Sequence, residues 1–296
     1  MTDKFSVAVL MATFNGSLFL REQIDSILSQ EGISVDIYFS DDCSTDNTLE
    51  LLKNYCSKNS NCFLLSHDKK FGSSSANFFN LVIEAPLEKY DYICFSDQDD
   101  IWFKEKITNG IKKMQDGKFK GYSSNTFFWE KDKMKKLKIK KNQRQTRYDF
   151  MFQSGGTMST YILEQKVAKK LSSFLKLIPL NKRNEIWLHD WFIYAYARKN
   201  KIPWTFDNYS GILYRQHGNN LIGGNIGLFA LLKRLKLLRK WRNQVLLFSD
   251  LLDYKNDLPI LRLEKLGIYL IKKPFNVRRK ISESFLLFLA SLIKLF

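Results

Sequence analysis

The stretch from Tyr92 to Trp102 restricts the fold more than any other part of the chain. It begins with an apolar run, Tyr92–Phe95, of the length typical of a buried strand. Three carboxylates follow within four residues, those of Asp97, Asp99 and Asp100. Like charges at this spacing repel each other, and a fold retains them where water or a cation offsets the repulsion. Carboxylate oxygens are the ligands that Mg²⁺ and Mn²⁺ prefer, so the stretch predicts a divalent-cation site. The alternative is a solvated acidic turn in which Asp100 caps a helix.

Apolar runs and helical patterns alternate on the N-terminal side of this stretch. Strands are predicted at Ser6–Met11, Ile33–Ser40 and Cys62–Leu65, and the segments between them repeat their apolar residues with helical spacing. Strands that alternate with helices form parallel sheets whose faces the helices cover. Residues 1–115 are therefore predicted to fold as a doubly wound α/β sheet.

Polar residues cluster directly after three of the predicted strands. The clusters are Thr13–Asn15, Asp41–Asp42 and Asp97–Asp100. The carboxyl ends of parallel strands lie along one edge of a sheet, which is where ligands bind in folds of this class. The three clusters are therefore predicted to converge on one crevice. No Gly-x-Gly-x-x-Gly turn follows the first strand, which argues against a dinucleotide site.

The region after residue 115 adds a turn of small residues. Strands are predicted at Tyr122–Trp129 and Ser154–Tyr161, with a solvated basic loop between them at residues 131–147. Gly155 and Gly156 lie in the second of these segments. Glycines let the main chain approach a ligand closely, and a plain turn is an equal alternative.

A second candidate carboxylate lies on a predicted helix at residues 186–198. Asp190 stands there between two tryptophans, Trp187 and Trp191. Apolar neighbours desolvate a carboxylate, raise its pKa and suit it to general-base catalysis. The alternative is an Asp that caps the helix or forms an ion pair.

The formal net charge of +17 is concentrated in two segments. Residues 226–296 carry a net charge of +10 and residues 131–147 a net charge of +8, so the rest of the chain is nearly neutral. This distribution predicts a partner of negative charge: anionic lipid, a phosphate-bearing substrate or nucleic acid. Residues 228–248 alternate Leu and Phe with basic residues, which is typical of an amphipathic helix on a membrane surface. The alternative is a helical subdomain that packs on the core or on a second subunit.

The apolar runs and the cysteines indicate the compartment. No run reaches the length of a transmembrane helix, and the first, Val7–Met11, is too short for a signal peptide. The four cysteines include no Cys-x-x-Cys pair, so they are predicted to be reduced thiols of a cytosolic protein. No recognised nucleic-acid motif is present, which argues against a nucleic-acid-binding protein.

Three segments resemble the motifs of the inverting glycosyltransferases of family 2, which have the GT-A fold. They are Val9–Asn15, Ser40–Asp46 and Phe95–Trp102. The resemblance implies a nucleotide-diphospho-sugar donor and a divalent cation, Mn²⁺ or Mg²⁺, on the donor diphosphate. The donor-binding residues that it implies are Thr13, Asn15, Asp41, Asp42 and Asp97. The metal ligands that it implies are Asp97, Asp99 and His217.

The resemblance also assigns roles in the second half of the chain. Asp190 corresponds to the catalytic base of the family, and His189 stands where the family usually has a first acid. In the string Tyr214-Arg-Gln-His-Gly-Asn-Asn220, Arg215 would bind donor phosphate and His217 would join the metal shell. The acceptor-side residues that it implies are Gly155, Gly156 and Trp191.

These features together predict an organisation and a function. A GT-A domain, residues 1–222, comprises a nucleotide-sugar half, 1–115, and an acceptor half, 116–222, and a basic amphipathic helical tail occupies residues 223–296. The resemblance implies transfer of a hexose from a donor of the UDP-Glc or UDP-Gal type to a hydroxyl of a lipid-linked saccharide. The implied setting is O-antigen or capsule synthesis at the cytoplasmic face of the bacterial inner membrane, with the enzyme bound peripherally.

Two other functions stay open at this point. One is a rhamnosyltransferase that uses dTDP-rhamnose. The other, from a different class, is a basic nucleic-acid- or membrane-binding protein without catalysis. The tail could also join copies of the chain into a homo-oligomer.

Overall fold

The computed structural model describes residues 5–66, 69–130, 135–217, 228–254, 272 and 274–292. The predicted boundary between the GT-A domain and the tail, at residue 222, lies outside these residues. Within them the chain forms a mixed α/β fold built on a sheet of mostly parallel strands flanked by helices, which confirms the predicted fold class. No helix in the described ranges is both long enough and apolar enough to cross a membrane.

The strands form two sheets. They are β1 (Ser6–Thr13), β2 (Ser34–Asp41), β3 (Cys62–Leu64), β4 (Tyr92–Ser96), β5 (Ile101–Trp102), β6 (Gly121–Ser124), β7 (Thr126–Glu130), β8 (Lys135–Ile139), β9 (Ile162–Glu164), β10 (Trp204–Asp207) and β11 (Ile212–Arg215). The main sheet has the order β10-β6-β9-β4-β1-β2-β3, and the smaller one the order β5-β11-β7-β8. In the main sheet, β9 runs antiparallel to both of its neighbours, and the other described pairs are parallel.

Helices cover both faces of the main sheet. They are α1 (Leu20–Leu28), α2 (Thr48–Lys58), α3 (Ser74–Glu84), α4 (Lys106–Asp116), α5 (Gln165–Leu177), α6 (Leu180–Asn184), α7 (His189–Lys199), α8 (Leu228–Leu251) and α9 (Ile281–Leu292). Val7, Val9 and Met11 of β1 enter one apolar core, and Ala8 and Leu10 enter the other. Successive side chains of a strand point to opposite faces, so a continuous apolar run such as this one needs cover on both sides.

The basic segment after β7 departs from the predicted solvated loop. Residues 135–139 form β8, which pairs antiparallel with β7 so that Leu137 lies opposite Phe128. In this strand Leu137 and Ile139 alternate with Lys136 and Lys138, which are exposed, and β8 lies at the edge of its sheet. The many lysines obscured the alternation of apolar and polar residues that is typical of a strand. The prediction of a loop is therefore wrong for residues 135–139.

The predicted strand at Ser154–Tyr161 is also wrong. The chain turns through Gly155 and Gly156, forms a short 3₁₀ helix at Met158–Thr160, and becomes extended in β9 only at Ile162. Gly156 has a φ of +151°, a conformation that favours glycine, which ends any regular pairing at this point.

The C-terminal half of α8 packs on α7. Val245 and Phe248 are fully buried, and the ring of Phe248 lies 5.0 Å from that of Trp191 and 5.2 Å from that of Phe192. This part of α8 therefore contributes to one of the two apolar cores.

Candidate functional site

The carboxyl ends of β1, β2 and β4 lie side by side, so the three polar clusters meet as predicted. In the parallel register, Thr13 lies opposite Asp41, and Met11 lies opposite Ser96. The turn with Asp97–Asp100 thus begins beside the turn that follows β1. The site is built on the ends of three central strands, which hold it rigidly.

The two aspartates after β2 hold neighbouring loops. Thr13 donates its hydroxyl to the Asp41 carboxylate at 2.9 Å, and Ser44 donates both its main-chain NH at 2.8 Å and its hydroxyl at 2.6 Å. Asp42 accepts main-chain NH groups from Phe71 and, at 2.9 Å, from Gly72. Asp42 therefore ties the end of β2 to the loop that precedes α3.

Asn15 and Gln98 hold the turn after β1. Asn15 adopts a left-handed φ of 48°, and its side-chain oxygen accepts the NH of Thr45 at 2.8 Å. Gln98 pairs with the main chain of Phe14: its oxygen accepts the Phe14 NH at 2.8 Å, and its amide nitrogen donates to the Phe14 carbonyl at 2.9 Å. Sequence analysis did not single out Gln98, because nothing in the local pattern shows that an amide in one turn pairs with the main chain of another. The Phe14 ring is 43% exposed at the edge of the site.

Asp97 and Asp100 of the acidic turn resist ionisation. Burial, followed by repulsion from Asp99 and Asp190, raises the pKa of Asp97 to about 7. Asp100 is fully buried, and its carboxylate accepts the Ser159 hydroxyl at 2.8 Å. Burial, with repulsion from its neighbouring aspartates, raises the pKa of Asp100 well above its usual range. The Asp100 carboxylate also accepts the main-chain NH of Arg215 at 3.2 Å, so it joins the acidic turn to β11. Asp100 does not cap the following helix, because α4 begins at Lys106 and its N-cap residue is Glu105.

Asp99 and His217, two of the predicted metal ligands, are brought together. The Nε2 atom of His217 lies 2.7 Å from an Asp99 carboxylate oxygen, and the imidazole ring packs 4.8 Å from the ring of Phe19. These two residues are separated by more than a hundred positions in the chain and meet because β11 lies beside β5.

The side chain of Arg215 contacts other groups of the protein. It is 3% exposed, its Nε donates to the main-chain carbonyl of Asp99 at 2.8 Å, and its guanidinium forms an ion pair with Glu22. The rings of Phe19 and Trp129 flank the guanidinium at 4.6 and 4.7 Å. These contacts join the end of β11 to the acidic turn and to α1. The predicted phosphate contact of Arg215 stays a prediction.

Asp190 lies in the first turn of α7, on the other side of the crevice. Burial raises the pKa of Asp190 to about 6, although a main-chain hydrogen bond from Trp191 at 2.7 Å, the nearby hydroxyl of Ser154 and the charge of Lys141 each lower it. The charge of Asp190 in turn raises the pKa of Asp97, which shows that the two carboxylates share one electrostatic environment. Lys141 was predicted to lie in a solvated loop; it is instead partly buried, and the loss of solvation lowers its own pKa.

The two sequence neighbours of Asp190, Trp191 and His189, are buried. Trp191, predicted on the acceptor side, is 1% exposed and donates its indole NH to the Phe150 carbonyl at 2.7 Å. His189 stacks on Phe78 at 4.3 Å, and burial lowers its pKa to about 3, so the imidazole is neutral and joins α7 to α3.

Tyr214, which sequence analysis did not assign, has its pKa raised by burial and by four carboxylates, those of Asp97, Asp99, Asp100 and Asp190. Its hydroxyl therefore lies among the acidic groups of both sides.

Comparisons with known proteins identify the family. A family model described as "Glycosyl transferase family 2" matches residues 8–165. The chain is 42% identical over 235 residues to the dTDP-rhamnosyl transferase RfbG of Shigella flexneri, a match that covers 78% of this chain and 80% of that protein. The chain belongs to glycosyltransferase family 2.

Other relatives and solved structures agree with this family and with its fold. The glycosyltransferase is 32% identical over 127 residues to the Escherichia coli protein WfaP, named UDP-Glc:alpha-D-GlcNAc-diphosphoundecaprenol beta-1,3-glucosyltransferase, a match that covers 43% of this chain and 47% of that protein. The S. aureus TarS 1–349 structure in complex with UDP-GlcNAc aligns with a TM-score of 0.58 at 15% identity, covering 98% of this chain and 80% of that one. The mannosyltransferase PcManGT from Pyrobaculum calidifontis, in complex with GDP-Man and Mn²⁺, aligns with a TM-score of 0.57 at 12% identity, covering 100% and 82% of the two chains. The predicted GT-A architecture is thereby confirmed.

The acidic turn of this glycosyltransferase fits a divalent cation in its chemistry. Among the described residues, no group of three or more His, Cys, Asp or Glu side chains is arranged to hold a metal ion. The Asp97 and Asp99 carboxylates nevertheless repel each other, and a cation between them would relieve that repulsion. Mg²⁺ is commonly held by one or two carboxylates together with substrate phosphates and water. The turn therefore fits a cation that shares its ligands with a bound diphosphate rather than one enclosed by protein.

The raised pKa of Asp190 gives the stability of the glycosyltransferase a specific pH dependence. Its folded pKa of about 6 lies above the usual Asp value, so between these values the folded chain binds more protons than the unfolded chain. The free energy of unfolding should therefore rise as the pH falls from 8 towards 5, because burial of the charged form is unfavourable. Asp190→Asn removes this charge and should be more stable than wild type by about 2–3 kcal/mol at pH 8, with little difference at pH 4.

Urea unfolding of wild type and Asp190→Asn at pH 8, 6 and 4 measures this difference. Asp116→Asn, which removes an exposed carboxylate at the end of α4, is the matched control and should follow wild type at every pH. Equal stability of Asp190→Asn and wild type at pH 8 would show that the Asp190 carboxylate is well solvated.

Proposed function

We propose that this glycosyltransferase transfers rhamnose from dTDP-rhamnose to a hydroxyl of a saccharide acceptor, with inversion at the anomeric carbon. The choice of donor is supported by the similarity to the dTDP-rhamnosyl transferase RfbG. The observation that carries the chemistry is that Asp190, a partly buried carboxyl of raised pKa, and the acidic turn at Asp97–Asp99 lie close enough for their charges to interact.

Asp190 is the proposed general base. A carboxyl with a pKa of about 6 is ionised at neutral pH and is still more basic than an ordinary aspartate, as general-base catalysis requires. Asp190 takes the proton of the acceptor hydroxyl while the oxygen attacks the anomeric carbon from the face opposite the diphosphate. A single displacement of this kind inverts the configuration of that carbon.

The acidic turn is proposed to bind the diphosphate end of the donor. Asp97, Asp99 and His217 would hold a divalent cation, Mn²⁺ or Mg²⁺, which when bound supplies positive charge to the leaving diphosphate. Arg215 holds this turn in place through the Asp99 carbonyl and Glu22, and its guanidinium is also proposed to bind donor phosphate. Thr13, Asn15, Asp41 and Asp42 form the nucleoside end of the proposed donor site.

The acceptor is proposed to be a lipid-linked saccharide at the cytoplasmic face of the inner membrane, in O-antigen or capsule synthesis. WfaP, a relative over part of the chain, is named for a diphosphoundecaprenol-linked acceptor. The net charge of +10 on residues 226–296 suits a peripheral contact with anionic lipid, and Gly155 and Gly156 lie on the proposed acceptor side. Joining of two copies through the tail is a further proposal that a measurement of oligomeric state would test.

A second candidate donor is a UDP-hexose. The name of WfaP contains UDP-Glc, and the TarS structure contains UDP-GlcNAc. Both similarities are weaker in identity than that to RfbG, which is the reason for preferring dTDP-rhamnose.

Release of nucleoside diphosphate from a panel of donors tests the proposal. With Mn²⁺ or Mg²⁺ present, dTDP release into water from dTDP-rhamnose should exceed release from dTDP-glucose and UDP-glucose at least tenfold, and EDTA should abolish it. dTDP-glucose differs from dTDP-rhamnose in the sugar, and UDP-glucose differs from dTDP-glucose in the nucleoside, through the 5-methyl group of the base and the 2′-hydroxyl of the ribose, so the panel separates the contribution of the sugar from that of the nucleoside.

The outcomes of this panel are distinct. Release from UDP-glucose alone would replace dTDP-rhamnose by the second candidate. Absence of release from every donor, together with absence of thermal protection by any nucleotide, would contradict a functional donor site.

A further inference from the structure

The side chain of Gln98 joins the turn after β4 to the turn after β1. Its oxygen accepts the main-chain NH of Phe14 at 2.8 Å, and its nitrogen donates to the main-chain carbonyl of the same residue at 2.9 Å. A carboxamide carries both a donor and an acceptor, so it can satisfy the two main-chain groups of one residue in a fixed orientation. Among the described residues, these are the only hydrogen bonds between residues 14–17 and residues 97–100.

Both partners of this pairing stand among residues of the proposed donor site. Gln98 lies between Asp97 and Asp99, which are proposed to hold the cation. Phe14 is the central residue of Thr13–Asn15, whose first and last members are proposed to bind the nucleoside. The two hydrogen bonds therefore connect the diphosphate end of the proposed site directly to its nucleoside end.

The turn after β1 has separate anchors on the side of β2. Asn15 donates its main-chain NH to the Ser44 hydroxyl at 2.8 Å, and Gly16 donates its NH to the Thr48 hydroxyl at 2.8 Å. None of these contacts involves the acidic turn. The local shape of the nucleoside end should therefore survive the loss of the Gln98 pairing.

The acidic turn is anchored on the other side, by α1 and β11. Gln23 of α1 donates its side-chain amide to the Ser96 hydroxyl at 2.9 Å, and Arg215 of β11 donates to the Asp99 carbonyl at 2.8 Å. The two turns thus belong to different parts of the framework. Beyond the ends of β1 and β4, the pairing of Gln98 with Phe14 sets the spacing between them.

The spacing between the two turns matters for a ligand that binds to both. A nucleotide-diphospho-sugar is one molecule whose nucleoside and diphosphate would contact different turns. Once one end is bound, the effective concentration of the other end depends on how well the distance between the two sites matches the ligand. Sites that are already held at the correct spacing also lose less conformational freedom on binding. A join between the turns should therefore affect the whole nucleotide more than either of its halves.

We propose that Gln98 is a positioning residue of the donor site: by pairing with both main-chain groups of Phe14, it fixes the distance between the nucleoside end and the diphosphate end. This inference rests on the proposed function, which places the two ends of the donor at these two turns. It assigns to the central residue of the acidic turn a role in donor affinity that does not require contact with the donor.

The dissociation constants of dTDP and of its two halves, obtained from thermal-stability titrations with Mg²⁺ present, test this role. Thymidine offers only the nucleoside, and inorganic pyrophosphate offers only the diphosphate. Gln98→Met has a similar length and lacks both hydrogen-bonding groups. It should weaken dTDP binding by about fivefold or more, while thymidine and pyrophosphate stay within about twofold of wild type, because only dTDP depends on the spacing.

Kinetics and two further variants make the test specific. In the release of dTDP from dTDP-rhamnose, the KM of Gln98→Met should rise by about the same factor while kcat stays within about threefold, as expected for lost binding that does not act on the chemical step. Gln115→Met, the same replacement at an exposed position of α4, should behave as wild type. If Gln98→Met does not fold, Gln98→Asn keeps both hydrogen-bonding groups on a side chain one methylene shorter and should give the same contrast between dTDP and its halves.

The results separate the inference from the proposed function. Wild-type affinity for dTDP in the Gln98 variant would overturn the positioning role. Equal weakening of thymidine or pyrophosphate would also overturn it, because that result would show damage to one end rather than a lost spacing. Failure of the wild-type protein both to bind dTDP and to release nucleotide from any donor would instead remove the proposed function.

Discussion

Replacing Asp190 with Asn should lower the kcat for donor turnover about 10³-fold, because the variant keeps the shape of the side chain and loses the group that accepts the proton. Donor binding should be preserved, since the proposed nucleoside and diphosphate contacts lie on the opposite side of the crevice. The measurement is steady-state dTDP release, together with thermal protection by dTDP and Mn²⁺.

In wild type, kcat/KM should fall as the pH drops below about 6, since the raised pKa of Asp190 makes it neutral there. The variant should lose the contribution of Asp190 to this fall and keep that of Asp97, whose pKa is also raised.

The exposed Asp116→Asn is the control for the change in charge and should retain wild-type turnover. One result would contradict the assignment directly: Asp190→Asn keeps full turnover while Asp99→Asn abolishes it. The crevice would then bind the donor as proposed, and another group would have to act as the base.

Asp99→Asn should lower turnover by at least 10²-fold and remove its dependence on divalent cation. Asp99 lies 2.7 Å from His217 and adds to the repulsion that raises the pKa of Asp97, so it lies at the centre of the acidic turn. Loss of one proposed carboxylate ligand would weaken the proposed stabilisation of the leaving diphosphate by the cation, an effect that contributes several kcal/mol in metal-dependent enzymes. Titration of Mn²⁺ against dTDP release measures both the rate and the cation midpoint.

Thermal denaturation with Mn²⁺ and dTDP, added singly and together, provides a readout that does not depend on turnover. Wild type should be protected more by the pair than by the sum of the two, and Asp99→Asn should lose this excess. An Asp99→Asn variant with a wild-type cation midpoint would show that the cation binds elsewhere.

The donor half of the fold could be predicted from the sequence because its signals are local. Each strand from β1 to β4 is an apolar run, and each site cluster directly follows its strand, so the topology of a parallel sheet was enough to bring them together. The raised pKa of Asp190 was predicted for a similar reason, because the tryptophans beside it in the sequence indicated a poorly solvated carboxylate, and its role as the base stays a prediction.

The remaining features depend on contacts between distant segments. Gln98 pairs with the main chain of Phe14. Arg279 donates a hydrogen bond to the main-chain carbonyl of Ser154, more than a hundred residues away. Neither contact leaves a periodic pattern in the sequence. The strand β8 was missed because its lysines resemble a solvated loop until a partner strand is known. The glycine turn at Gly155 and Gly156 was predicted as a strand because φ angles are not visible in the apolar pattern.

The pairing of Gln98 with Phe14 has a consequence for how this enzyme can change over evolutionary time. A methyl group placed on Gly16 would lie 2.2 Å from the side-chain oxygen of Gln98, so any larger residue at position 16 must displace the amide that joins the two turns. A larger residue at position 16 would therefore loosen the join between the turns after β1 and β4 even with Gln98 unchanged. Changes of donor preference that keep these turns joined would have to come from residues other than this pair.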